Sequence, residues 1–77
     1  MLRIIVDFNT LTVDGKRVVV ARDIDTELAG KLESGMRVIL YEPNDFEVEA
    51  VVEPVEIMED IIYWYGSLDW STRVDLT

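Results

Sequence analysis

Residues 36–53 read MRVILYEPNDFEVEAVVE. Two apolar runs flank a cluster of turn formers. In the second run Phe46, Val48, Ala50 and Val52 alternate with Glu47, Glu49, Val51 and Glu53. That period of two puts one set on a core and the other in water. The first run, Met36 to Tyr41, is rich in β-branched and aromatic residues and predicts a strand as well. Glu42-Pro43-Asn44-Asp45 between them suits a type I turn with proline in second place. Residues 36–53 therefore predict two paired strands with a glutamate-bearing wet side.

Working outward, Leu2 to Phe8 sets Leu2, Ile4, Val6 and Phe8 against Arg3, Ile5 and Asp7, a strand with one apolar face. Arg17 to Arg22 is valine-rich with basic ends. Asp14-Gly15 lies between these runs and is a tight-turn pair, so the first two strands are expected to form a hairpin with its tip there. In residues 23–35 Leu28, Leu32 and Met36 follow at helical spacing, with Asp25 or Thr26 as cap and Gly35 as stop. Gly30 weakens that pattern, leaving at most one short helical turn within residues 26–34.

Pro54 cannot donate to a ladder and marks an edge or a bend, beyond which Val55 and Ile57 continue the strand. Met58-Glu59-Asp60 reads as a turn. Ile61 to Tyr65 reads as a fifth strand closed by Gly66, followed by the DWSTRVDLT tail.

Five short strands with at most one helical turn predict an all-β fold. The expected form is a small five-stranded antiparallel barrel, SH3-like or translation-protein-like, because closure removes exposed edges. An open sheet covered by a helix over residues 25–34 is the alternative. Seventy-seven residues predict a single domain, 1–77.

The stretch GMRVILYEPNDFEVEAVVE resembles the paired strands of the barrel domain of translational GTPases, and that resemblance implies a barrel. The phosphate loop of those GTPases is absent, so it implies no nucleotide chemistry. The whole pattern, ending in YWYGSLDWSTR, is similar to small acidic bacterial proteins of no assigned function, a resemblance that implies no activity.

The chain contains no cysteine and no histidine. Disulfides and the usual zinc sites are therefore unavailable, and so are Ser-His and Cys-His nucleophile pairs. Ser34, Ser67 and Ser71 sit in no activating motif. Asp23-Ile24-Asp25-Thr26-Glu27 begins like a calcium loop. It then places Leu28 where glycine is needed and Ser34 where the bidentate glutamate is needed. A carboxylate-based hydrolytic or weak divalent-cation site, with Asp45, Glu59 and Asp60 converging, is one alternative function. The leading expectation is no enzyme, no metal and no cofactor. No apolar run approaches the roughly 18 residues of a spanning helix, and Asp7 interrupts the apolar start. No membrane association is expected, and the compartment is expected to be the cytoplasm.

Charge placement is the most informative feature. Residues 1–37 hold six acids and six bases. Residues 38–72 hold nine acids (Glu42, Asp45, Glu47, Glu49, Glu53, Glu56, Glu59, Asp60, Asp69) and no base, and Arg73 and Asp75 cancel. The net charge of -9 thus belongs to the second half. Such a field repels phosphate backbones and attracts cations.

The expected function is a non-catalytic interaction module whose acidic face, Glu42 to Asp60, meets a basic protein. Glu47, Glu49, Glu53 and Glu56 would steer the encounter, and Tyr63, Trp64 and Tyr65 would supply anchor area. Asp69-Trp70-Ser71-Thr72-Arg73 gathers an aromatic, hydroxyls and a cation. Trp70 and Arg73 are included in the candidate surface, although a C-terminal strand or tail pinned by Trp70, with Asp69 or Asp75 near Arg73, is the preferred reading of that segment. A nucleic-acid barrel stacking bases on the aromatics is a further alternative, disfavoured because that segment lacks a base. A homo-oligomer through the edge at Pro54 or the aromatics is also expected.

Overall fold

In the computed structural model, which describes residues 1–76, alternation is converted into burial as the sequence predicts. Phe46, Val48, Ala50 and Val52 are buried, as are Ile4, Val6 and Phe8. The strands are β1 (Arg3–Ile5), β2 (Arg17–Ala21), β3 (Arg37–Tyr41), β4 (Phe46–Met58) and β5 (Ile61–Asp75). A 3-10 turn (Phe8–Thr10) follows β1, and one short helix, α1 (Thr26–Ala29), follows β2. No described helix is long and apolar enough to cross a membrane.

The five strands form one open mixed sheet in the order β1-β3-β4-β5-β2, not a closed antiparallel barrel. β1 runs parallel to β3, with Ile4 opposite Leu40, and the other pairings are antiparallel. The expected β1–β2 hairpin is absent. The Asp14-Gly15 turn does form, with Gly15 at φ +70°, but it joins Thr12 to Arg17 within the loop. The cause lies at Asp7 and Phe8. The Asp7 carboxylate accepts the Asn9 N–H at 2.9 Å and starts the 3-10 turn. Phe8 meanwhile drops into the core and stacks on Phe46 at 4.3 Å. The chain is thereby turned away from β1 and returns as β2 on the far edge of the sheet.

The β2 edge receives cover. On β2, the Thr12 N–H donates to the Arg17 carbonyl, and the Thr10 hydroxyl accepts the Val19 N–H. The 9–16 loop thus occupies ladder positions that a neighbouring strand would take. Leu28 packs beside the core and Leu32 is buried in it, so the α1 segment covers one end of the sheet. Its extent agrees with the single helical turn predicted. Gly30, not Gly35, ends it, and the Asp25 carboxylate accepts the Arg22 N–H instead of capping the helix.

β4 continues through Pro54 to Met58, with Pro54 opposite Trp64, so of the two readings the edge is the one seen and Val55 and Ile57 do extend the strand. One expectation about the long strands is corrected. Gly66 does not end β5. A Cβ there would lie 2.8 Å from Leu40 Cδ1, 3.1 Å from Val20 Cγ2 and 3.2 Å from Ala50 Cβ, so glycine is required by close packing inside the strand. β5 then runs on through the predicted tail to Asp75. A straight strand of its 15 residues would span about 50 Å, whereas the longest molecular dimension is 39 Å. The curvature is taken up at an irregularity where residues 69–74 oppose residues 47–49. There the Thr72 hydroxyl accepts the Glu49 N–H at 2.8 Å and donates to the Asp69 carbonyl at 2.6 Å.

Candidate interaction surface

β3 pairs with β4 up to the Arg37–Val51 rung, and β2 pairs with β5 up to the Ala21–Trp64 rung. Beyond Pro54–Trp64 only β4 and β5 remain, a two-stranded ribbon ending at Glu59-Asp60, where Asp60 has φ +64°. Its edge chemistry follows from alternation. The N–H of Val52 donates to the Met36 carbonyl and its C=O accepts from Gly35, so Val52 faces β3. Glu53 then faces β5, and Pro54 faces the side that β3 has vacated. Proline lacks the donor that would otherwise be exposed there, which explains its position. A register shift between Glu56 and Met58 disrupts the same edge further out.

The ribbon has two faces. Val52 and Gly66 are buried and opposite one another, so the inner face continues through Pro54, Glu56, Ile62 and Trp64. Trp64 is half-buried against the core and Ile62 is exposed. The outer face carries Glu53 opposite Tyr65, then Val55 opposite Tyr63, then Ile61. Tyr63 and Tyr65 are half-buried. The Arg17 guanidinium lies over the Tyr65 ring at 5.5 Å.

Of the nine acids in residues 38–72, three are paired with arginines once folded, four lie on the ribbon, and Glu42 and Asp45 lie in the β3–β4 turn without a described ion pair. Glu47 pairs with Arg3 at 3.2 Å, and Arg37 joins Glu49 and Asp69 at 2.8 Å each. The Arg37 guanidinium is held above its ordinary value, first by Glu49 and then by Asp69. The Asp69 carboxyl is held below the ordinary 3.8 by the Ser71 hydroxyl and then by Arg37. Glu53 accepts the Ser34 hydroxyl. Among the described residues no ion pair involves Glu53, Glu56, Glu59 or Asp60. Arg3 and Arg37 are the residues that sequence reasoning missed. For Arg37 a signal was present: a hairpin turning at residues 42–45 sets Arg37 diagonally across from Glu49 on one face.

The predicted site residues therefore divide. Glu53, Glu56, Tyr63, Trp64 and Tyr65 belong to the ribbon, with Trp64 on the opposite face from the tyrosines. Glu47 and Glu49 lie on the body, compensated by arginines. Trp70 and Arg73 lie toward the other end of β5. The Trp70 Nε1–H donates to the Gly15 carbonyl at 2.9 Å. Arg73 pairs with Asp75 at 3.0 Å and covers the Phe46 ring at 4.2 Å. These contacts match the pinned-strand reading of that segment. Asp45 precedes β4 and Glu59-Asp60 follow it, a separation of roughly 40 Å along the strand, so the three carboxylates do not converge. Among the described residues no group of carboxylates is arranged to hold a metal ion.

No family model, no curated protein and no solved structure matches this chain.

Proposed function

We propose that the chain is a non-catalytic interaction module that presents the acidic β4–β5 ribbon to a basic protein partner. The observation that carries this reading is the division of the acids. Arg3 pairs with Glu47 and Arg37 is shared by Glu49 and Asp69, whereas Glu53, Glu56, Glu59 and Asp60 cluster past them on the ribbon without a described cationic partner. Four such carboxylates gathered on one projecting ribbon outnumber the two in the β3–β4 turn and steer a cationic partner to the ribbon. The half-buried Tyr63 and Tyr65 supply rigid anchor area beside it. A chain without cysteine needs no oxidising compartment, and we take the cytoplasm as its location.

The test is affinity capture with the chain as bait, followed by association kinetics of the recovered protein across salt concentrations. Glu56→Lys/Glu59→Lys slows association and flattens its salt dependence if the reading holds. An unchanged on-rate and an unchanged salt slope contradict it.

A further inference from the structure

We infer that the partner segment is a basic amphipathic helix laid across the outer face of the ribbon, with its apolar stripe on Val55, Ile61 and Tyr63. The inference rests on the acidic-ribbon reading above and adds the occupant and its mode of docking.

Three observations select this occupant. First, the edge of β4 past Val52 is guarded. Pro54 offers no N–H there, and the shift between Glu56 and Met58 breaks the ladder further out. Proline and bulges on an edge oppose strand addition, so an extended partner pairing along β4 is disfavoured. Second, the outer face is an apolar floor with charge at its ends. Tyr63 stands opposite Val55 with Ile61 next along β5. Glu53 lies at the foot, and Glu59 and Asp60 form the tip. Arg17 already covers Tyr65 at the foot, so an incoming cation is directed to the tip carboxylates. A second copy of the ribbon would bring the same four carboxylates against these and is opposed by charge. Third, the dimensions fit. Strands lie about 4.8 Å apart and rise about 3.3 Å per residue. The floor from Glu53 to Ile57 is therefore about 13 Å long, the length of about nine helical residues. One face of a helix, apolar at every third or fourth position with lysines beside it, covers such a floor and places cations at its end.

The experiment titrates the 15N-labelled chain with a synthetic helical peptide of about 16 residues carrying a leucine stripe and lysine flanks. A second peptide of the same composition, with the leucines scattered, serves as comparison. The expected result is that amide shifts concentrate at Val55, Ile61 and Tyr63. The scattered peptide is expected to bind about tenfold more weakly, and Tyr63→Ser to weaken the striped peptide by a similar factor. A folded spectrum of the variant shows that the loss is local. Equal affinity for both peptides, with both lost in Glu56→Lys/Glu59→Lys, overturns the helix mode while leaving the acidic-ribbon reading standing. Gain of exchange protection at the Glu56 amide means strand addition, and a rise in molecular mass without peptide means a second copy on the ribbon; either overturns the inference. Absence of binding by both peptides at low salt overturns the inference and the underlying reading together.

Discussion

Gly66 and Asp69 show how single positions hold this sheet. At Gly66 three side chains from β2, β3 and β4 close on the space a methyl group would need. Leu40, whose Cδ1 is nearest, is itself fully buried and has little room to yield. Gly66→Ala is therefore expected to cost about 1–3 kcal/mol through overpacking, read as a lower denaturant midpoint. An unshifted midpoint would mean that the strands can part at no cost. The sequence shows Gly66 but not its reason, because close approach arises from three segments remote in the chain. Asp69 contributes to the pH dependence of stability. Its folded-state pKa lies below 3.8, as does that of Asp14, whose first cause is the Thr12 hydroxyl. A depressed carboxylate contributes stability that is fully present above the unfolded value and is lost as pH falls through the folded value. The midpoint is thus expected to fall as pH drops below about 4. Asp69→Asn should make that fall shallower, and an equally steep acid limb in the variant would show that Asp69 is not one of its causes.

Among the elements, β4 was the most legible and β5 the least. The alternation of β4 is local, so Phe46, Val48, Ala50 and Val52 could be assigned inward from sequence, and all four are buried. β5 lacks that signal. Glycine interrupts it, its tyrosines and tryptophan suit either face, and its C-terminal half turns on hydrogen bonds from Thr72 and Trp70. The ribbon formed by the two strands explains Pro54 as an edge residue, one of the two readings its chemistry allowed. Pro54→Val restores an N–H donor to the side β3 has left. The variant is expected to self-associate more strongly than the parent at equal concentration by light scattering. Identical scattering from both would mean that charge alone guards this edge.

At the scale of the whole molecule, pattern gave the strand count but not the order. An open mixed sheet and a closed barrel need the same five apolar faces. The choice is made by the 3-10 turn at Phe8, which sends β1 and β2 to opposite edges. Charge behaves in the same way. The base-free segment 38–72 reads as one continuous acidic face along the chain, yet folding returns Arg3 and Arg37 to its middle. The acids left without a described ion pair are then the four of the ribbon and, at the other end of β4, Glu42 and Asp45. The most direct test compares two double substitutions against the striped leucine-lysine peptide. Glu56→Lys/Glu59→Lys and Glu47→Lys/Glu49→Lys each add four charges, taking the net charge from -9 to -5, so they differ in placement and not in total. The expected result is an association rate that falls steeply for the first pair and far less for the second. Equal falls for the two pairs would contradict the account, since total charge and not the ribbon would then govern the encounter.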